Sequence, residues 1–534
     1  MDAYDVIVVG GGSAGAAAAA KLSEDPGRRV LLLEAGRDWR AHEAPAAMRS
    51  ANINPFMNDP AHQAAWQWPA LMTRRTRVQA PRFYWRGKGL GGSSAVNAQI
   101  AIRGVAEAFD GWAEAGCEGW SAARVLPIFD AMEDDPEAGR PGGPIPVYRA
   151  PLDTWGPVDG ALRTAALALG YPWNPDLNAA QGEGVSCYPI NNRNGRRITT
   201  NDAYLEPARA RPNLDIRGAA LVDRVLLRDG RASGVRVRLG GDGWTEIAAR
   251  DILLCAGAIH SPAILMRSGI GPAAALAALG IAVARDLPEV GRNFMDHPIL
   301  RATLSLRPEY VGRDPDQRHT NCCVTYSSGL GDGGARDMIL IGFNHRGQVQ
   351  AGPPTGIGAI GGALFNAFSR GTVQLASPDP TVDPVVEENM LDDPRDRLRM
   401  RDVVRRLAAL AAHPALTGIT ERIRFGDTDL TMDQAAAMPS GDLDALMLAE
   451  AGDIQHAAGT CRMSAYEDPR GVVNPDLSVK GIAGLRVADA AIMPQDCRAN
   501  THLTCVMIGL MAASRIAATA KGWNVVTEGG EPQV

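Results

Sequence analysis

Aromatic residues make up only 5% of the 534-residue sequence, lysine occurs only at positions 21, 88, 480 and 521, and cysteine occurs 8 times. The cysteines (117, 187, 255, 322, 323, 461, 497 and 505) form no CxxC pair and no zinc-type spacing, so no metal site or disulfide framework is expected. Cys322 and Cys323 are adjacent, and two reduced, partly buried thiols are the expectation there. Basic charge is also short. The 54 Lys and Arg stand against 60 Asp and Glu, a net −6, which argues against a nucleic-acid or anionic-membrane partner. No apolar run reaches the ~18 residues of a membrane span. A first strand from residue 4 leaves no room for a signal peptide, so a soluble protein of a reducing compartment, the cytoplasm, is the expectation.

What is present is ordinary for a globular protein: 46% apolar and 21% charged residues exclude global disorder. At 534 residues the chain exceeds one compact core, and two or three packed units are expected. The 59 glycines and 36 prolines point to many turns and to backbone-lined sites. Pro- and Gly-rich breaks at 136–146 and 350–357 read as surface loops.

The N-terminus carries the first chemical signal. Residues 4–9 are a short apolar run, followed by Gly10-Gly11-Gly12-Ser13-Ala14-Gly15, an alanine-rich helical stretch to Leu22, a strand over 29–33, and Glu34. Strand, GxGxxG, helix, strand and acid in that order form a dinucleotide-binding fingerprint. Gly10 suits the tight turn, Gly12 a close approach of backbone to pyrophosphate, and Gly15 the packing of helix on strand. The helix N-terminus, at Ser13 and Ala14, supplies N–H donors to phosphates. Glu34 can accept ribose hydroxyls. The fingerprint alone leaves NAD and FAD both open.

A second glycine loop, Gly87-Lys88-Gly89-Leu90-Gly91-Gly92-Ser93-Ser94-Ala95-Val96-Asn97, suits backbone lying flat against a planar or anionic group. A third segment follows an apolar strand and runs Gly257-Ala258-Ile259-His260-Ser261-Pro262 to Ser268-Gly269-Ile270-Gly271. With these segments the sequence resembles the glucose–methanol–choline (GMC) oxidoreductases, FAD-dependent enzymes acting mostly on alcohols. The segments Leu287-Pro288-Glu289-Val290-Gly291-Arg292-Asn293-Phe294-Met295-Asp296-His297, His456-Ala457-Ala458-Gly459-Thr460, Gly484 to Ala490, and Asn500-Thr501-His502 extend the likeness over nearly the whole chain. Ala457 and Ser464 depart from the residues common in the family.

The resemblance implies an α/β fold, α+β overall, with a Rossmann-like FAD-binding domain and an interleaved antiparallel-sheet substrate domain. The FAD domain is expected from 1–155, 200–297 and 455–534, and the substrate domain from 156–199 and 298–454. Locally, Thr372 onward alternates like a strand and Arg395–Ala412 reads as an amphipathic helix. The resemblance also implies flavin contacts at Gly87, Gly91, Gly92, Asn97, Ala98 and Ile100, adenine contact at Val222, and ribityl–phosphate contact at Asp489 and Ala490. Thr501 and His502 then open a helix aimed at the flavin pyrimidine, where its N-terminus stabilises negative charge. Val96 stands where some members attach FAD covalently through histidine, so FAD is expected to be non-covalent.

For catalysis, His456 falls at the family's catalytic histidine, and its partner, a His or Asn 44 residues on, falls at Asn500. His456 is expected to act as base and Asn500 to hold the substrate oxygen. Residues i and i+2 of a helix do not share a face, so His502 is assigned to the flavin edge, with the exchanged roles as the alternative. His260 and His297 receive no chemistry. The implied activity is oxidation of a primary alcohol to an aldehyde, O₂ or another acceptor taking the electrons. The alternative is a non-redox enzyme of the same fold, a hydroxynitrile lyase or photodecarboxylase. Trp66, Trp68, Phe343, Phe365 and Phe368 are candidates for an apolar substrate pocket or, equally, for core packing. No basic or acidic cluster marks a strongly charged substrate.

Overall fold

Two apolar runs pair first. Val6 to Val9 lie parallel beside Val30 to Leu33, and Val9 also pairs with Leu254 on the other side. The computed structural model describes residues 4–520 except 181, 242, 313, 315 and 347–354. Residues 350–354 of the second Pro- and Gly-rich break and the tail after 520 lie outside the described residues. Around this pair a sheet is ordered Leu214–Arg217, Val30–Leu33, Tyr4–Val9, Trp244–Leu254, Arg231–Leu239, Ala220–Arg228. The 11-residue strand Trp244–Leu254 serves two neighbours: its first half pairs antiparallel with Arg231–Leu239, and its last residues pair parallel with Leu485–Val487. The parallel stretches Val6–Val9, Val30–Leu33 and Ile252–Leu254 are buried on both faces, as their continuous Val/Ile/Leu runs require, while the edge strand Leu214–Arg217 is partly exposed.

A second seven-stranded sheet is antiparallel, ordered Thr420–Phe425, Pro298–Leu306, Ile357–Leu364, Met338–Phe343, Cys322–Tyr326, Gly184–Cys187, with Gly452–Asp453 also on Pro298–Leu306. The period of two divides Pro298–Leu306 cleanly. Leu300, Ala302, Leu304 and Leu306 join the cluster under helices Pro157–Ala168 and Pro394–Ala411. Ile299 faces the other way, into the core shared with the first sheet. At Gly362 an added Cβ would lie 2.3 Å from Val403 Cγ1, so glycine sets how closely the helix lies on the sheet. The expected helix is present as Pro394–Ala411, its N-terminus capped by Asp393. The strand expected at 372 is Thr372–Gln374, in a small sheet with Val385–Glu387, Met72–Arg74 and Arg82–Phe83. The architecture is the mixed α/β fold expected, with the Rossmann-like sheet beside the antiparallel one.

Helix Thr501–Ala520 lies across Ser13–Leu22, where Gly509 leaves room for the Ala14 carbonyl. By length and composition this helix is apolar enough to cross a membrane (mean hydropathy 1.3 over Thr501–Ala518), but 61% of that window is buried inside the protein. Tolerated Thr and Ser positions hide such a run from a strict apolar count. All eight cysteines are free and buried, Cys322 and Cys323 completely, on opposite faces of one strand. Among the described residues no group of His, Cys, Asp and Glu is arranged to hold a metal ion.

Candidate active site

A cavity of about 450 Å³ runs between the two sheets, from Glu34 and Val222 at one end to the start of helix Thr501–Ala520 at the other. Gly10, Gly12, Ser13, Ala14, Glu34, Gly87, Gly92, Asn97, Ala98, Ile100, Val222, His456, Asp489, Ala490, Asn500, Thr501 and His502 all line it. Gly15 and Gly91 stand behind the lining. A Cβ on Gly15 would fall 1.9 Å from the Gly10 carbonyl oxygen, and the Gly91 N–H is spent on the Gly11 carbonyl at 2.8 Å. Gly10 has φ +101°, a conformation glycine adopts without strain. At Gly12 an added Cβ would meet nothing nearer than Gly92 Cα at 3.8 Å, whereas one on Gly92 would lie 2.7 Å from Gly12 Cα, so the two glycine loops pack closely against each other there. No side chain caps helix Ser13–Leu22, which leaves its first N–H groups directed at the cavity.

Glu34 is buried and accepts N–H bonds from Gly11 (2.8 Å), Gly36 (2.9 Å) and Gly89 (2.9 Å), which ties it to both glycine loops. Asp489 commits its carboxylate to Gly257 N–H, Ser261 Oγ and Ala491 N–H, capping helix Gly257–Arg267. Asn97 Oδ1 accepts from Gln99 N–H and Arg197, and the Ala98 carbonyl accepts from Arg318, so two buried arginines fix this stretch.

At the far end the side chains converge. Asn500 Nδ2 lies 3.0 Å from His456 Nε2, while the Asn500 Oδ1 has no partner. His502 is turned elsewhere, its Nδ1 2.9 Å from Ser13 Oγ. Burial pushes the His502 ring down to about 4, with Arg197 adding to it. His456 Nδ1 lies 2.9 Å from His297 Nδ1, and His297 Nε2 lies 2.5 Å from Asp496 Oδ2. The neighbouring Asp296 accepts the backbone N–H groups of both His297 (2.7 Å) and His456 (2.8 Å). Burial, followed by His297 and Arg86, holds the His456 ring well below its ordinary value, so it stays neutral. Burial works the same way on His297, but the Asp496 carboxylate outweighs it and the net direction is upward.

With both rings neutral, one arrangement of protons satisfies the row. Asp496 can only accept, so His297 carries its proton on Nε2 and offers a bare Nδ1. His456 then donates Nδ1–H to it, leaving a lone pair at Nε2 directed at Asn500 and the cavity. Two profiles described as GMC oxidoreductase match residues 4–299 and 367–509. The chain belongs to the GMC oxidoreductase family.

Among its relatives, 5-(hydroxymethyl)furfural oxidase of Methylovorus sp. (strain MP688) is 33% identical over 97% of this chain and 99% of the relative. An oxygen-dependent choline dehydrogenase of Sinorhizobium medicae is 31% identical over 96% of this chain and 95% of its own. The crystal structure of pyridoxine 4-oxidase from Mesorbium loti superposes with a TM-score of 0.83 at 30% identity, covering 96% of this chain and 99% of that one.

FAD, the cofactor of GMC oxidoreductases, fits the residues present. The cavity lining of Gly10, Gly12 and Gly92, the uncapped helix and the buried acid at 34 form a cradle for a dinucleotide. Two features of this GMC site escape a reading by motif. His297 and Asp496, assigned no chemistry from sequence, stand 199 residues apart, and only folding places both behind His456. Of the aromatic candidates, Trp68, Phe343 and Phe365 line the cavity. Trp66 instead packs edge-on against Trp39, and Phe368 lies beneath Arg395 and Arg399.

Proposed function

We propose that the enzyme oxidises a primary alcohol to the aldehyde, with His456 as base and Asn500 as the group that holds the substrate oxygen. The observation that carries this reading is the row Asn500, His456, His297, Asp496 at the end of the cavity. The hydroxyl proton passes to His456 Nε2, the atom the row leaves unprotonated. A positioned base of this kind contributes ~10²–10⁴-fold. Asn500 Nδ2 is then free to donate to the developing oxyanion. When bound, FAD supplies the acceptor for the hydride leaving the carbinol carbon. O₂ or another acceptor takes the electrons afterwards, and the relatives' names include both oxidase and dehydrogenase.

His297 acts as a positioning residue, since it selects the tautomer of His456 without touching substrate. On this reading Gly10, Gly12, Ser13 and Ala14 face the pyrophosphate, Glu34 the adenosine ribose and Val222 the adenine. Gly87, Gly92, Asn97, Ala98 and Ile100 border the isoalloxazine, with Gly15 and Gly91 setting the packing behind. Asp489 and Ala490 border the ribityl–phosphate portion, and Thr501 and His502 the pyrimidine edge. Val96 offers no atom for a covalent link, so FAD is held non-covalently. The segments 1–155, 200–297 and 455–534 then form the FAD unit, and 156–199 with 298–454 the substrate unit.

The test is anaerobic bleaching of the oxidised flavin band by benzylic, furanic and aliphatic primary alcohols. Bleaching by at least one class with aldehyde formed supports the reading. A holoenzyme that stays oxidised with all of them rejects it.

A further inference from the structure

Among the described residues three arginines line the cavity: 86, 267 and 301. Arg267 donates to the Asp223 carbonyl (2.8 Å) and stands 3.4 Å from its carboxylate. Arg86 donates to the Tyr84 hydroxyl (2.6 Å) and the Trp85 carbonyl (2.9 Å). The guanidinium of Arg301 makes no hydrogen bond and no ion pair among the described residues. The carboxylates near it are taken. Asp453 is bonded to Arg75 through one oxygen and to Gln455 through the other. Asp427 is closed on Arg346 at 2.8 and 3.0 Å.

The strand explains why this charge faces inward. In Pro298–Leu306 the even-numbered residues from Leu300 lie under the helices, so Arg301 shares the opposite face with Ile299. Its cross-strand neighbour is Gly361 and the next is Ile341, so no side chain intervenes between Arg301 and the apolar wall of Ile341 and Phe343. The guanidinium bends back along the strand toward Gly452, where an added Cβ would stand 2.6 Å from its Nη1. Gly452 pairs with Ile299 and Asp453 with Pro298, so the bend points the charge toward the segment that leads into His456. Burial, followed by the neighbouring Arg346 and Arg75, pushes the Arg301 guanidinium down to about 10. A partly buried cation turned toward a cavity, with no hydrogen bond or ion pair of its own, is a costly arrangement that an incoming anion relieves.

We propose that Arg301 anchors a carboxylate carried by the substrate, so that the preferred alcohols are apolar-bodied hydroxymethyl acids with the carboxylate at the end remote from the carbinol. The planar fork of arginine matches the two oxygens of a carboxylate. Ile341, Phe343 and Phe365 supply apolar lining to the same cavity. The proposal rests on the alcohol-oxidising reading of His456 and Asn500, and it adds a second point of attachment that orients the carbinol toward them.

The experiment compares the holoenzyme and Arg301→Met on 4-(hydroxymethyl)benzoate, 4-methylbenzyl alcohol and 4-(hydroxymethyl)phenyl phosphate. In parallel, benzoate is titrated against the flavin absorption band, a readout independent of turnover. A charged hydrogen-bonded contact sets the expected effects. The wild type favours the carboxylate over the neutral alcohol by ~10-fold or more in kcat/KM. In Arg301→Met the KM for the carboxylate rises ~10–100-fold, the preference collapses toward one, and the benzoate perturbation disappears. Arg301→Lys restores part of it. A loss shared in equal proportion by acid and neutral alcohol, or benzoate binding unaffected by the substitution, overturns the proposal. Preference for the phosphate overturns the carboxylate assignment. If no alcohol bleaches the flavin, the alcohol-oxidising reading fails instead, and the benzoate titration still decides whether Arg301 receives an anion.

Discussion

Replacing Asp496 by Asn changes one charge and keeps an acceptor, which makes it a sharp probe of the histidine row. The Asp496 carboxylate sits 2.5 Å from His297 Nε2 in a fully buried setting. At an effective dielectric of ~20 and ~4 Å between charge centres, the pair is worth about 4 kcal/mol. Burial opposes that attraction in the wild type, and the net direction for His297 is upward from 6.5. A protonated His297 carries hydrogen on both ring nitrogens. It then donates to His456 Nδ1, which moves the His456 proton onto Nε2 and removes the base. Flavin reduction is therefore expected to decline as pH falls through the raised His297 value, an acid limb lying above 6.5. In Asp496→Asn the attraction is gone while Asn Oδ1 still accepts Nε2–H, so the limb moves to lower pH. Asp296, which also raises His297, is present in both proteins. The assay is anaerobic stopped-flow reduction from pH 5 to 9 with matched FAD content. A limb that stays in place, or moves upward, refutes the tautomer argument.

Four further outcomes follow from the geometry. Asn500→Ala slows flavin reduction ~10²–10³-fold, as loss of an oxyanion donor does, with the flavin spectrum and FAD content kept. His502→Ala, whose ring faces Ser13 and not His456, alters FAD retention and the flavin spectrum more than the reduction rate, as read from absorbance and rapid mixing. Gly12→Val, whose Cβ meets only an ordinary contact at 3.8 Å, adds bulk to the cavity lining and yields folded protein that retains little FAD on gel filtration, whereas Gly15→Val, blocked by the Gly10 carbonyl, lowers the melting temperature of the chain itself. Arg399→Met leaves Asp337 and Asp396 buried without their cation and lowers stability in urea unfolding by about 3–5 kcal/mol, far from the site.

Most of the dinucleotide cradle was legible in the sequence because its parts are local. Strand, glycine turn, helix and acid succeed one another within 34 residues, and backbone geometry needs no distant partner. The segment beginning at Asn500 was also readable in part, since two residues two apart on a helix point differently, and the structure turns Asn500 to His456 and His502 to Ser13. The support behind His456 was not legible, because Asp296, His297 and Asp496 come from two distant segments that only the tertiary fold joins. Arg301 left a faint trace: a lone charge inside the alternating run 298–306 marks the face away from the helices. What it faces is set by Gly361 and Gly452, on two other strands. For Trp66 and Phe368 the core-packing alternative holds, since residue type alone cannot tell a pocket wall from a ring beneath an arginine or edge-on to another indole.

The most direct test of the central claim is the limiting rate of flavin reduction, measured without oxygen, for wild type and His456→Ala with the best alcohol substrate. The account predicts a folded, FAD-loaded variant slowed ~10²–10⁴-fold. Reduction at close to the wild-type rate would contradict it.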